Sequence, residues 1–276
     1  MNLIIQGSEV ENHDLRQLAK LVHASRIEQI TPEAFRLCAA RTRDGVAEYC
    51  AQVQLDYAFT PENLKLADFG LLVMDMDSTL ITIECIDEIA DMLGIKPDVS
   101  QITAAAMRGE IDFAESLRRR VALLSGLDES ALQEVYDQRL QLSPGAEKML
   151  AKLKTTGIKT LLVSGGFTFF TERLKSRLSL DYTCSNTLEI VNGKLTGKVL
   201  GKIIDADAKV MKVEEIRRLL GLKKEQIIAI GDGANDLKMM AAAGISVAYR
   251  AKPVVRAQAA YALDHTGLDG VINLFT

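Results

Sequence analysis

Three apolar segments of this chain each end in glycine or aspartate, and they restrict the fold more than any other feature. They are "GLLVMD" at 70–75, "TLLVSGG" at 160–166 and "QIIAIGDG" at 226–233. Continuous apolar runs of this length are typical of strands buried on both faces of a parallel sheet. Helical patterns lie between them, so the sequence predicts an α/β fold with a doubly wound, Rossmann-like parallel sheet.

Residues 1–68 precede this pattern and are predicted to form a small α+β accessory domain, leaving 69–276 as the main domain. The expected elements are a strand at "LIIQG", a helix at "DLRQLAKLVHAS" capped by Asp14, and a strand along "AEYCAQVQLDYAF". No chemical motif lies in this region, so its sequence does not indicate its role.

The main domain contains one segment that departs from the strand–helix alternation. Residues from about 84 to 140 hold helical patterns and no strand pattern, which predicts a helical insertion after the first strand. Asp112 is the expected N-cap of a helix in this insertion. Beyond it, Ser143 is expected to cap a helix that ends at Gly157, and Asn192-Gly193 predicts a hairpin turn.

Charge and composition exclude several classes of function. The 276 residues carry a net charge of −4, so no broad basic surface favours nucleic acid as a partner. No apolar run approaches the roughly 20 residues of a membrane helix, and the N-terminus lacks the basic region of a signal peptide. The four cysteines have no metal-binding spacing, so we expect reduced thiols and a cytoplasmic protein without membrane or nucleic-acid partners.

Polar side chains follow each predicted strand, and the carboxyl ends of parallel strands meet at one edge of a sheet. The residues expected there, with a lysine from the preceding helical pattern, are Asp75, Asp77, Ser164, Gly165, Lys209, Asp232, Asn235 and Asp236. Four carboxylates require a cation to remain ionised together. Because the set offers oxygen ligands without histidine or cysteine, Mg²⁺ is the expected ion.

The pair Asp75 and Asp77 suggests a reaction. Beside a metal-bound phosphoryl group, one aspartate can attack phosphorus as a nucleophile and form an aspartyl-phosphate. The other, two residues on, points to the same side of an extended segment. It can act as general acid for the leaving oxygen and then as general base for water.

The motifs "DMDST", "VSGG", Lys209 and "GDGAND" resemble the four motifs of the haloacid dehalogenase-like phosphatases over about residues 70–270. Within that superfamily, "ECIDEIA", "FAESLRRRV", "VSGGF" and "GDGANDLKMMAAAG" together are similar to the phosphoserine phosphatases. The resemblance implies a haloacid dehalogenase-like core whose helical insertion is a cap. It also implies Mg²⁺-dependent hydrolysis of O-phospho-L-serine through an aspartyl-phosphate, the last step of serine biosynthesis.

The resemblance further assigns a role to each site residue. It implies Asp75 as nucleophile, Asp77 as acid and base, and Asp75, Asp232 and the backbone carbonyl of Asp77 as metal ligands. Asp236 would support the metal site. The implied substrate-binding residues are Glu84, Phe113, Arg120, Ser164, Gly165, Lys209 and Asn235.

In the cap, Glu84 suits the substrate ammonium, and an arginine suits the carboxylate because of its paired donors. Arg118, Arg119 and Arg120 are adjacent, so a helix directs them about 100° apart and they cannot converge on one point. The family pattern selects Arg120, with Phe113 seven residues earlier on nearly the same side. From the residues alone, three solvated surface arginines are the simpler interpretation.

Two alternative functions remain open from the motifs. One is a phosphatase of another small phosphomonoester, because the motifs define the reaction better than the substrate. The other is a signalling receiver that is phosphorylated on an aspartate. Asp77 and the insertion favour the phosphatase, since a receiver needs a long-lived acyl phosphate and does not enclose a small molecule. No feature of the sequence indicates the oligomeric state.

Overall fold

The computed structural model describes residues 1–275, which form two β-sheets. The smaller sheet is antiparallel, with strand order β2-β3-β1-β4. Its elements are β1 (Asn2–Gln6), α1 (Asn12–Leu21), β2 (Arg26–Thr31), β3 (Ala34–Cys38), α2 (Val46–Val53) and β4 (Asp56–Thr60). In β1, Leu3 and Ile5 pack on the two helices, while Ile4 between them packs on the opposite side with the main domain. The small sheet is therefore covered on both faces.

Two expectations for this region were wrong. The segment 47–59 is not one strand, because α2 occupies its first part and only β4 is extended. Val46 and Cys50 lie four residues apart and are buried on one face of α2. Apolar residues at an even spacing also fit the alternating pattern of a strand, so the sequence pattern does not distinguish the two structures. Asp14 does not cap α1, which begins at Asn12; its carboxylate is buried and accepts a hydrogen bond from Tyr49 Oη at 2.7 Å.

The larger sheet has seven strands in the order β11-β10-β9-β5-β6-β7-β8. They are β5 (Leu71–Met74), β6 (Lys159–Phe167), β7 (Tyr182–Val191), β8 (Lys194–Leu200), β9 (Ile227–Gly231), β10 (Ile245–Tyr249) and β11 (Tyr261–Leu263). All adjacent strands are parallel except β7 and β8, which form the hairpin that Asn192-Gly193 predicts. The predicted α/β fold is confirmed.

Helices cover both faces of this sheet. They are α7 (Ala146–Thr156), α8 (Thr168–Leu178), α9 (Ala206–Leu219), α10 (Leu237–Ala241) and α11 (Pro253–Arg256). Along β5, Leu72 and Met74 pack into one apolar cluster and Leu71 and Val73 into the other, as expected for a central strand. Burying an aliphatic side chain of this size stabilises the fold by about 1.5–3 kcal/mol. The two clusters thus fix β5, whose carboxyl end carries the paired aspartates.

The segment between β5 and β6 contains four further helices, as the sequence predicts. They are α3 (Cys85–Met92), α4 (Lys96–Met107), α5 (Phe113–Ala122) and α6 (Ser130–Gln138). Asp112 caps α5 by accepting the N–H of Glu115 at 2.7 Å. Two backbone hydrogen bonds of 2.8 Å, from Gly126 to Leu195 and from Leu195 to Leu127, attach this cap to the β7–β8 hairpin.

The two chain segments that connect the cap to the core pair with each other. Ile81 and Leu142 form an antiparallel bridge, and the N–H of Thr82 donates to the carbonyl of Gln141 at 3.0 Å. We call residues 79–82 and 141–143 the cap base. The first of these two segments begins two residues after Asp77, so the cap lies over the carboxyl edge of the sheet. No helix within residues 1–275 has the length and apolarity needed to cross a membrane.

Candidate active site

The carboxylate of Asp75, just beyond β5, belongs to a buried cluster of charges. Asp75 is 6% exposed, Lys209 is 1% exposed and Asp236 is 0% exposed. Lys209 Nζ donates to Asp75 Oδ1 at 2.8 Å and to Asp236 Oδ1 at 2.7 Å. One ammonium thus serves two carboxylates, and the cluster keeps an excess of negative charge. Burial alone would lower the pKa of Lys209, but the charges of Asp236 and Asp75 raise it on balance.

Asp236 is held by the backbone of its own turn. Its Oδ2 accepts the N–H of Gly233 at 3.0 Å, and Asn235 Nδ2 donates to Oδ1 at 3.3 Å. A methyl group at Gly231 would lie 2.6 Å from Asp236 Cβ, so only glycine allows this close approach. Both oxygens of Asp236 are therefore engaged by donors of the protein itself.

Asp232, just beyond β9, completes the cluster. Thr79 Oγ1 donates to its Oδ1 at 2.9 Å, and a carboxylate oxygen from each of Asp75, Asp232 and Asp236 lies within 4.8 Å of the others. Burial, followed by the charge of Asp236, raises the pKa of Asp232 to about 6. The same two causes raise the pKa of Asp75. Raised pKa values and an all-oxygen donor set fit a hard divalent cation.

Asp77 faces the same edge and is fixed at both oxygens. Oδ1 accepts the N–H of Cys85 at 2.9 Å, and Oδ2 accepts from Ser164 Oγ at 3.3 Å. The next residue, Ser78, adopts a left-handed conformation with φ of 55°, which turns the chain toward the cap. Burial raises the pKa of Asp77. A carboxyl group that retains its proton more readily is suited to protonating a leaving oxygen.

The last part of β6, after Val163, brings a hydroxyl and two glycines against the aspartates. Ser164 is fully buried, and the N–H of Gly166 donates to its Oγ at 2.8 Å. A methyl group at Gly166 would lie 2.7 Å from Asp77 Oδ2, and one at Gly165 would lie 2.9 Å from Phe113 Cζ of the cap. A side chain at either position would force these neighbouring side chains to move, and Phe113 covers this segment of β6.

Asn186 supports this segment of β6, a role that its sequence does not indicate. Its Nδ2 donates to the carbonyl of Gly165 at 2.8 Å, and its Oδ1 accepts the N–H of Ile204 at 2.8 Å. It lies on β7 where the pairing with β6 is interrupted between Val163 and Phe167. Its amide fills the gap in the ladder. A lone asparagine in "CSNTLEI" gives no sequence signal, whereas Thr79, whose role was also not predicted, lies within "DMDST".

On the cap side, Arg120 is the only one of the three adjacent arginines that is half-buried; Arg118 and Arg119 are exposed. Arg119 pairs with Glu115 at 2.7 Å. Within residues 1–275, Arg120 forms no ion pair, and its one hydrogen bond is from Nε to the carbonyl of Ser116 at 3.4 Å. Burial lowers its pKa, which the charges of Asp87, Glu84 and Asp77 partly offset.

Glu84 stands between Asp77 and the cap. Ser78 Oγ donates to its Oε1 at 2.8 Å. The residue is exposed, but its carboxylate lies near Asp77, and partial burial followed by the charge of Asp77 raises its pKa to about 7. A nearby cation would favour its charged form.

The family follows from comparison with known proteins. A protein-family model described as haloacid dehalogenase-like hydrolase matches residues 72–241, more than half of the chain. This chain belongs to the haloacid dehalogenase-like hydrolases. A second family model, described only as a domain of unknown function, matches residues 3–46.

Individual relatives show which members of the family this chain resembles in sequence and structure. A phosphoserine phosphatase from Polaromonas is 54% identical over 220 residues, covering 78% of this hydrolase and 93% of the relative. The solved structure of a probable phosphoserine phosphatase from Vibrio cholerae is 39% identical with a TM-score of 0.88, covering 99% of this chain and 85% of its own. A haloacid dehalogenase family hydrolase from Salmonella enterica serovar Typhi has a TM-score of 0.89 at 34% identity, covering 99% and 97%. The resemblance inferred from the motifs is confirmed.

The structure of this hydrolase brings the predicted residues to one cleft in two groups. Asp75, Asp77, Ser164, Lys209, Asp232, Asn235 and Asp236 line the core side. Glu84, Phe113 and Arg120 come from the cap and its connection, and Phe113 lies against Gly165 of β6.

Proposed function

We propose that this hydrolase converts O-phospho-L-serine and water to L-serine and phosphate, the last step of serine biosynthesis. The observation that carries the proposal is the half-buried, unpaired Arg120 of the cap above a buried carboxylate edge. A phosphate ester that also carries a carboxylate would satisfy both sides of the cleft. The name of a relative that is 54% identical, phosphoserine phosphatase, supports this substrate. We further propose a cytoplasmic location, in keeping with a biosynthetic role.

The proposed reaction has two displacements at phosphorus. Asp75 Oδ2, which accepts no hydrogen bond from residues 1–275, attacks the phosphorus atom, and the bond from phosphorus to the serine oxygen breaks. Asp77 donates its proton to that oxygen and L-serine leaves. Asp77 then accepts a proton from water, which attacks the phosphorus of the aspartyl-phosphate and releases phosphate, restoring Asp75.

We assign the metal site to the same edge. Asp75, Asp232 and the backbone carbonyl of Asp77 would hold Mg²⁺, while Asp236 supports the site through Lys209. The saturation of both Asp236 oxygens by Lys209, Gly233 and Asn235 favours this supporting role over direct ligation. When bound, the ion supplies positive charge that offsets the carboxylates and the phosphoryl oxygens.

The remaining residues would bind different groups of the substrate. We propose that Ser164, Gly165, Lys209 and Asn235 bind the phosphoryl group. Arg120 would bind the substrate carboxylate through its paired donors, and Glu84 would bind the ammonium. Because the pKa of Glu84 is about 7, the arriving ammonium would also draw it into the charged form. Phe113 would exclude water from the closed cleft.

Phosphate release tests the proposal directly. Purified protein would be assayed with O-phospho-L-serine, O-phosphothreonine, phosphoethanolamine and the phosphate ester of lactic acid, each with Mg²⁺ and with chelator. We expect phosphoserine to give the highest kcat/KM, by roughly tenfold or more over each analogue, and only with Mg²⁺. A different phosphomonoester giving a higher kcat/KM would replace phosphoserine as the substrate.

A further inference from the structure

Asp56 of the small domain has a buried carboxylate that is bound by the main domain. It is 3% exposed and lies at the start of β4. Its oxygens accept the backbone N–H groups of Asp264 at 2.8 Å, His265 at 3.0 Å and Thr266 at 2.9 Å, and the hydroxyl of Thr266 at 2.8 Å. Hydrogen bonds to an ionised acceptor are short and strong, so this carboxylate fixes the 264–266 backbone.

The chain that follows packs against the turn from which the cap returns to the core. The N–H of Leu268 donates to the carbonyl of Pro144 at 2.7 Å. A methyl group at Gly267 would lie 2.6 Å from that same carbonyl oxygen. Gly145 has φ of 77°, and a methyl group there would clash with the Asp269 carboxylate. Two glycines thus permit a close approach between the 264–270 segment and the 143–145 turn.

The same turn reaches the cap base and the carboxylate cluster. Ser143, expected to cap α7, instead donates from Oγ to the carbonyl of Thr79 at 2.6 Å, while its N–H donates to Leu80 at 2.9 Å. Ser143 is 4% exposed, so these bonds are protected from water. Thr79 is the residue whose hydroxyl orients Asp232. Hydrogen bonds and short stretches of backbone therefore connect Asp56 to the cap base: Asp56 binds residues 264–266, Leu268 binds Pro144, and Ser143 binds Thr79.

We propose that Asp56 is a positioning residue for the phosphatase reaction. Through the 264–270 segment and Ser143, it holds the cap base and the Thr79–Asp232 pair in the geometry that the reaction needs. The small domain is then part of the catalytic unit, not an appended module. The kinetic part of this inference rests on the proposed function, whereas the structural part concerns the cap base alone.

Asp56→Ala in the full chain tests the inference by two measurements. Amide hydrogen exchange should become about 10-fold faster at residues 79–82 and 141–143, because the 264–266 backbone loses its anchor. With phosphoserine, the Mg²⁺ concentration for half-maximal activity should rise about 3- to 10-fold, because Asp232 is less well oriented. The exchange measurement needs neither substrate nor metal, so it remains decisive if phosphoserine is not the substrate.

Asp14→Ala is the matched control. Asp14 is also a buried carboxylate of the small domain, but its partner Tyr49 lies within that domain. We expect it to lower Tm without changing exchange at the cap base or the Mg²⁺ requirement. Equal effects of Asp14→Ala and Asp56→Ala on those two readouts would overturn the proposal, as would an Asp56→Ala protein with parental values of both.

A milder substitution covers the case in which Asp56→Ala does not fold. Thr266→Val removes one hydroxyl from Asp56 and keeps the side-chain shape. We expect the same pattern with effects of about 2-fold, in line with the loss of one of the four groups that donate to the carboxylate. Faster exchange confined to residues 264–268, with unchanged exchange at the cap base, would show that Asp56 does not stabilise the cap base. That result would refute the proposal.

Discussion

The two sides of the cleft differ in how completely their charges are paired. On the core side, the carboxylates of Asp75 and Asp236 share Lys209, and all three side chains are almost fully buried. On the cap side, Arg120 forms no ion pair within residues 1–275, and Glu84 has only a serine hydroxyl as partner. The core side is organised before any ligand arrives, whereas the cap side has charges that a ligand would complete.

This difference suits the core side to the reaction at phosphorus and the cap side to the selection of the substrate. Preorganised charges around phosphorus suit a step that every substrate of such an enzyme undergoes. Incomplete pairing in the cap suits recognition, because the cost of an unpaired buried charge is relieved only by a ligand that supplies the opposite one. Substitutions on the core side should therefore affect all substrates equally, and those on the cap side should depend on the substrate.

Asp75→Asn should give the largest effect. The amide cannot form an acyl phosphate, so turnover of every phosphomonoester should fall by roughly a thousandfold or more. Lys209 keeps Asp236 as partner, so Tm should change little. Phosphate release and thermal unfolding are the measurements. Activity above a few per cent, after exclusion of deamidation, would place the nucleophile elsewhere.

Lys209→Met should be the most destabilising change on the core side. It leaves Asp75 and Asp236 buried together without their shared cation, and breaking a buried pair costs about 3–5 kcal/mol. Denaturant unfolding at neutral pH measures it. Lys212→Met, on the same helix and paired with Glu215 near the surface, is the control and should change the unfolding free energy by less than about 0.5 kcal/mol. Similar losses of unfolding free energy in both variants would show that the buried charge cluster contributes no more to stability than a surface ion pair.

Arg120→Ala should expose the substrate dependence of the cap side. Loss of one partner of an enclosed charge pair costs about 2–5 kcal/mol, so kcat/KM on phosphoserine should fall roughly 30-fold or more. Phosphoethanolamine lacks the carboxylate, so its lower activity should barely change. Arg118→Ala, at an exposed position of the same helix, should leave both substrates unaffected. An equal loss on both substrates would mean that Arg120 supports the cap or the phosphate instead.

The matching experiment on Glu84 uses the phosphate ester of lactic acid, which keeps the carboxylate and lacks the ammonium. Glu84→Ala should reduce kcat/KM on phosphoserine about 10-fold and leave the lactate ester nearly unchanged. Solvent contact of Glu84 makes this effect smaller than that of Arg120. A larger loss on the lactate ester than on phosphoserine would contradict the assignment.

The smallest effect concerns pH and Mg²⁺. The pKa of Asp232 is about 6 in the fold against an ordinary 3.8, so the native protein binds more protons than the unfolded chain between these values. Without Mg²⁺, this group therefore lowers stability as pH rises through that window. Since Mg²⁺ binds the ionised form, its stabilising effect should grow over the same range, raising Tm by about 2–4 °C more at about pH 7 than at about pH 5. A Mg²⁺ effect independent of pH would contradict this.

The sequence predicts the core side well because local patterns define it. Asp75 and Asp232 each follow an apolar run long enough to identify a buried strand, and strand ends meet at one edge. The secondary structure of the small domain is harder to predict, because the segment around Val46 and Cys50 fits both a helix and a strand. Asn186 and Ser143 could not be predicted, because their partners lie on segments that only the complete fold brings together.

The contact between Asp56 and residues 264–266 also has a consequence for the order in which the chain folds. The partners are 208–210 positions apart, so this carboxylate remains without them until residues 264–266 have left the ribosome. At typical synthesis rates of about 5–20 residues per second, the delay is roughly 10–40 seconds. During that interval the apolar cluster that contains Ile4 also lacks its members from the last segment, which are Leu263, Leu268, Val271, Leu274 and Phe275. The nascent small sheet therefore completes its contacts with the main domain only after residues 264–266 have been synthesised.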